Sequence, residues 1–145
     1  VRELERTRDE TLQYYALPDR QTAKTYGPGK WSVKFILHHL ADAEQVLYER
    51  IARTIAEPSP RIMVFQEALW ANNLDYAGLP LEISRWMYES VRRAHVHYAR
   101  RFYESHGHLE FVHSEMGART LRQEFDKVAD HNEHHLTQIR AALAR

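Results

Sequence analysis

All five glycines and all five prolines of this chain fall between long segments of helical periodicity or, for Pro80, at the start of one. That placement limits the fold more than any other feature, because Gly and Pro punctuate regular structure. It predicts four amphipathic helices. The first runs from about Arg2 to Ala16 and is closed by Pro18. The second runs from about Val33 to Ala56, closed by Pro58 and Pro60, and the third from about Pro80 to Ser105, closed by Gly107. The fourth starts at Thr120 and continues to the C-terminus. Ser32, behind Trp31 and the GPG breaker, predicts an N-cap, and Thr120-Leu121-Arg122-Gln123 predicts a capping box.

Four such helices imply an all-α four-helix bundle, read as one domain over residues 1–145. The connection from Arg61 to Pro80 is long and contains MVFQEALWANN, with room for one short helix. Its length permits a crossover between helices two and three in place of a simple up-down order. The histidine-rich HGHLEFVHSEMGA before the fourth helix reads as a solvated turn, and His106, His108 and His113 with it.

Composition removes several classes of function. The chain has 20 basic and 20 acidic residues, so no excess of positive charge favours nucleic acid or an anionic membrane. It has no cysteine, which excludes disulfides, thiolate zinc sites and a cysteine nucleophile. No apolar run approaches the roughly 20 residues of a membrane span. The start, VRELERTRDE, is unlike a signal peptide, so a cytoplasmic location is the expectation. Ten histidines stand out against this background.

Helical periodicity places those histidines by face. On the second helix the apolar stripe is Val33, Ile36, Leu40, Ala43, Leu47 and Ile51; His39 falls within it and His38 does not. On the fourth, the stripe of Leu121, Phe125, Val128, Ile139, Ala142 and Leu143 takes in His135, with His131 at its edge and His134 displaced toward the polar side. His131 and His135, at i and i+4, present two imidazoles on one face, as a single metal ion needs. A third imidazole from a facing helix would leave an open position for water or substrate. Asp42 or Glu44, a turn past His39, would orient an imidazole or act on a metal-bound water. The alternative is a set of core histidines satisfied by their neighbours, although burying unpaired imidazoles is unfavourable.

At these motifs the chain resembles a known family. KWSVKFILHHLADAEQVLYERI and HNEHHLTQI are similar to the two signatures of the DinB-like (YfiT-like) four-helix-bundle proteins. The resemblance implies a divalent transition metal, zinc or nickel ahead of iron or manganese, held by His39, His131 and His135. It implies an unusual helix connectivity, a homodimer, and a small-molecule metalloenzyme, either a thiol-dependent S-transferase or a metal-dependent hydrolase. A transferase would take its nucleophile from a low-molecular-weight thiol, in keeping with a cysteine-free chain. A hydrolase needs a base, for which Asp42 is the nearest candidate. Phe65, Trp70, Asn73 and Tyr76 of the long connection are placed either to line the pocket mouth or, as the favoured reading, to pack as a lid over the bundle. The rival reading is a non-catalytic, stress-related helical dimer whose histidines are structural or bind metal without turnover.

Other signals read as surface or packing. Arg92-Arg93 and Arg100-Arg101 resemble a phosphate stripe, but Glu89 four residues before Arg93 makes a solvated face the simpler reading. His95 and His97 lie on opposite sides of their helix. Trp86, Tyr88, Tyr98, Phe102 and Tyr103 read as core or dimer interface.

Overall fold

The computed structural model describes residues Val1–Arg145. Four long helices form a bundle: α1 (Arg2–Tyr14), α3 (Val33–Ala56), α5 (Leu81–His106) and α6 (Leu121–Leu143). Short helices α2 (Asp19–Thr22) and α4 (Glu67–Asn73) sit in the first two connections. The local signals set the ends. The Ser32 side chain accepts from the Phe35 amide at 3.2 Å at the start of α3. At the start of α6, Thr120 Oγ1 accepts from the Gln123 amide while the Gln123 side chain accepts from the Thr120 amide. Each such cap contributes about 1 kcal/mol.

Helix α3 packs along α5 and α6, and α1 packs along the same two helices. Helices α1 and α3, successive in the chain, therefore lie across the bundle from one another. The first connection spans that diagonal. The long second connection carries the chain back so that α3 and α5 run parallel as neighbours, His38 meeting Ser84 and Glu44 meeting Arg92. This is the crossover its length permits. The core falls into two apolar clusters, one around Ile36, Leu37, Leu40, Tyr88 and Ile139, the other around Leu47, Ile51, Leu121, Phe125 and Val128. Between them lies a polar layer. The buried side chains Arg92, Glu44, Asn132, Thr7 and Thr11 come from all four long helices.

That layer corrects the sequence reading of helix three. Arg93 lies on the solvated face and pairs with Glu89 at 3.5 Å, but its neighbour Arg92 is 1% exposed. Arg92 Nε donates to both oxygens of Glu44, Nη1 to the Leu4 carbonyl and Thr7 Oγ1, and Nη2 to Asn132 Oδ1. Glu44 therefore serves this ion pair and His95 (3.4 Å), not a metal-ligating imidazole. Tyr88 is core and Trp86 is 59% exposed.

The histidine-rich segment is not a loose turn. Strands β2 (Glu110–His113) and β3 (Gly117–Thr120) form an antiparallel hairpin, and β1 (Arg61–Ile62) adds to β2 in parallel. Gly117 takes φ +74° at the start of β3, a conformation that favours glycine. Burial alternates along β2, with Phe111 and His113 turned inward. The small sheet ties the α3–α5 connection to the start of α6, closing one end of the cavity described next. No helix is long and apolar enough to cross a membrane.

Candidate metal centre

Two helix faces with the same spacing make the walls of a cavity of about 640 Å³. On α3 they are His39, Ala43, Val46, Leu47 and Arg50; on α6, Lys127, His131, His134, His135 and Gln138. Each set follows i, i+4, i+7, i+8, i+11, one continuous stripe of an α-helix. Because α3 and α6 pack together, the stripes meet. Trp31, Phe65, Glu67 and His113, from the connections and the sheet, complete the lining.

Within this cavity the rings of His39, His131 and His135 converge. Their centroids lie 5.0 Å (39–131), 4.7 Å (39–135) and 4.6 Å (131–135) apart. One ligand nitrogen from each lies within 4.8 Å of the other two, and the Nε2 atoms of His39 and His131 are 3.1 Å apart. Bonds of about 2.1 Å in a tetrahedral site would place such nitrogens roughly 3.4 Å apart, so the cluster is close to the size of a single ion. Phe65 stacks parallel to His39 with centroids 5.8 Å apart, Trp31 packs on the same ring at 5.2 Å, and Trp70 supports Phe65 edge-on.

The electrostatics favour neutral rings with lone pairs free to bind. Burial, followed by the neighbouring imidazoles His131 and His135, pushes the His39 pKa down to about 2. Burial, followed by His135, pushes His131 down to about 3. Burial also lowers His135. The His135 ring is oriented by Gln138, whose Oε1 lies 2.8 Å from Nδ1. With the proton on Nδ1 the lone pair falls on Nε2. His39 Nδ1 is buried without a partner. Three neutral imidazoles sharing one centre suit a zinc-, nickel- or iron-like divalent ion.

Other expected site residues lie elsewhere. Asp42 does not line the cavity; its carboxylate accepts a short hydrogen bond from the Tyr76 hydroxyl. Tyr76 is fully buried beside His38 instead of at the mouth, and Asn73 is exposed. His38, placed off the apolar stripe by periodicity, is 0% exposed, because Tyr76 and Ser84 cover it and its Nδ1 lies 2.6 Å from Ser84 Oγ. Conversely, Arg50, Glu67 and Lys127 line the cavity without having been singled out by sequence, and so does His113, which the sequence placed in a solvated turn but which is buried. Arg50 was readable in principle, since eleven residues after His39 returns to the same face. His113 depends on a hairpin too short for its alternation to stand out.

Comparison with known proteins agrees with this arrangement. Residues 3–139 match the model of the DinB superfamily. The chain is 33% identical over 129 residues to "Putative metal-dependent hydrolase OB0413" of Oceanobacillus iheyensis, covering 89% of this chain and 74% of the relative. It is 31% identical, with the same coverage, to "Putative metal-dependent hydrolase OB0782" of the same organism. The fold is similar to that of YfiT from Bacillus subtilis, described as "a probable metal-dependent hydrolase with an unusual four-helix bundle topology". That likeness has a TM-score of 0.89 at 23% identity and covers 99% of this chain and 83% of that one. The chain belongs to the DinB superfamily.

Proposed function

We propose that this chain is a metal-dependent hydrolase of a small molecule, with His39, His131 and His135 holding one divalent transition ion through Nε2. The observation that carries the reading is the convergence of three neutral imidazoles from two helices on one point of a solvent-connected cavity. The names of the similar proteins support the reaction class. When bound, a divalent ion supplies Lewis acidity on the side of the cluster open to the cavity.

The chain's own residues supply the rest. Gln138 fixes the His135 ring and its proton, so that the lone pair faces the cavity. Phe65 and Trp31 cover His39 and keep water from that side, which strengthens electrostatic interactions at the cluster. Glu67, at the start of α4, lines the cavity, and its charge is felt at His135. It replaces Asp42 as the acceptor of a proton from an attacking water, because Asp42 is committed to Tyr76.

The test is turnover of small amides, esters and related electrophiles by metal-loaded protein and by Glu67→Gln. Loss of a proton acceptor predicts a fall of 10²-fold or more in kcat with metal content unchanged. Equal turnover by wild type and Glu67→Gln would remove the hydrolytic role assigned to Glu67. Turnover seen only when a low-molecular-weight thiol is added would move the assignment to thiol transfer. No turnover by fully loaded protein would favour a non-catalytic metal-binding role.

A further inference from the structure

Two imidazoles in this cavity carry their protons on opposite nitrogens. His135 keeps its proton on Nδ1, toward Gln138, and presents a lone pair at Nε2. His113 does the reverse. Its Nδ1 accepts from the backbone N–H groups of Glu115 and Met116, each at 3.1 Å, so the ring proton sits on Nε2. That N–H has no acceptor within the protein, while His113 itself lines the cavity. One ring is built to bind a cation and the other to donate to an acceptor.

The surroundings of His113 suit an anionic acceptor. Lys127 lines the same region, and its nearest carboxylate is Glu124 at 3.9 Å, beyond hydrogen-bond reach. The Arg50 guanidinium, 3% exposed, approaches Glu124 only to 3.8 Å, and its Nε has no partner. Two cations thus share one buried carboxylate, and neither is fully paired. Arg119 adds to the positive field felt at Arg50 and Lys127. The opposing acids that line the cavity, Glu67 and Glu115, are both exposed and screened by solvent. Burial, and then the fields of Arg50 and Lys127, hold the His113 pKa below its ordinary value, so the ring stays a neutral donor.

We propose that the His113 Nε2–H and the Lys127 ammonium, backed by Arg50, form an oxyanion-binding pole in the same cavity as the three histidines. The substrate is then a small anion, anchored there by a carboxylate or phosphate while its reacting bond lies at the histidine cluster. The second half of that statement rests on the metal-site reading; the first does not. Lys127 precedes His131 by one helical turn and His135 by two, which is roughly 6 and 12 Å of rise. The anchored group and the reacting bond are therefore separated by a short linker, not adjacent. Charge-assisted donors of this kind discriminate strongly against a neutral analogue.

The experiment uses the metal-free chain of residues 1–145, so that acetate or inorganic phosphate has no ion to bind. Calorimetry gives the affinity for each anion, and ¹H–¹⁵N spectra of the histidine rings report whether the His113 Nε2–H signal moves. Saturable binding is expected, with the His113 signal shifting in step. Binding weakens at least tenfold in Lys127→Met and in His113→Asn, whose side-chain oxygen still accepts from the hairpin amides but offers no donor at the Nε2 position. Tighter binding of acetate assigns a carboxylate, and tighter binding of phosphate assigns a phosphate. Absence of saturable binding, or variants within twofold of wild type, overturns the proposal. Zinc or nickel uptake is measured separately on the same samples. Anion binding without metal uptake sinks only the metal reading, and metal uptake without anion binding sinks only this one.

Discussion

Two of the polar clusters buried in this bundle are built on opposite principles. Around Arg92 every charge has a partner. The guanidinium donates from all three nitrogens to Glu44, Leu4, Thr7 and Asn132, and Asn132 in turn donates to Thr11 and accepts from Tyr88. Around His39 the ring nitrogens of three histidines face one another, His39 Nε2 and His131 Nε2 at 3.1 Å, and His39 Nδ1 has no partner at all. A buried polar group is tolerated when satisfied and is destabilising when it is not. The Arg92 cluster thus holds α1 to the rest of the bundle, whereas the histidine cluster leaves ring nitrogens without protein partners. An unpartnered ring nitrogen does not by itself mark a binding site, since buried His95 beside Glu44 has two; the convergence of three rings on one point is what sets the His39 cluster apart.

Replacing one member from each cluster should give opposite outcomes. The largest effect is Arg92→Met, which strands the Glu44 carboxylate in the core. It should lower stability by about 3–5 kcal/mol in urea unfolding, and a loss below 1 kcal/mol would show the network is not structural. Next is Gln138→Leu, which frees the His135 ring. Metal affinity should fall about 10–100-fold in a competition titration with the fold intact.

The third outcome is a pH dependence confined to the histidines. His39 and His131 titrate near 2 and 3 when folded but near 6.5 when unfolded. The unfolded chain binds their protons first, so metal-free protein loses stability as pH falls below 6.5, by up to about 1.4 kcal/mol per pH unit for each ring. Glu44, held near 2 against an ordinary 4.5 chiefly by the Arg92 charge offsetting its burial, adds its loss only below about 4.5. Between those limits the slope of chemical stability against pH belongs to buried histidines, and His39→Leu should flatten it. The smallest effect is the stability of His39→Leu itself at pH 7.5. Without metal it should match wild type or exceed it, within about 1 kcal/mol, because an unpartnered imidazole is removed. A loss of 3 kcal/mol would place His39 in the same class as Arg92.

Features fixed by neighbours in sequence were legible from sequence. Ser32, the Thr120–Gln123 box and the breakers set the helix ends through contacts within four residues. The shared facing of His39, His131 and His135 follows from helical period alone. Features fixed by distant partners were not legible. Arg92 is buried because Glu44, 48 residues away, neutralises it. His38 is buried because Tyr76 of the long connection and Ser84 of α5 close over it. Asp42 has the spacing of a metal-site partner, yet the same Tyr76 takes its carboxylate. His113 sits in a four-residue strand whose inward alternation is hidden among other histidines. In each case a long-range contact overrides the local pattern, and at the cavity those contacts supply most of the groups beyond the three rings.

Metal stoichiometry is the most direct test. Protein made without a polyhistidine tag is stripped, reloaded with zinc or nickel, dialysed and analysed for metal per chain, alongside His39→Ala, His131→Ala and His135→Ala checked for helical content. One equivalent in wild type, falling close to zero in each folded variant, is the expected result. Wild type that retains no metal, or three variants that retain as much as wild type, would contradict a shared ion at these rings.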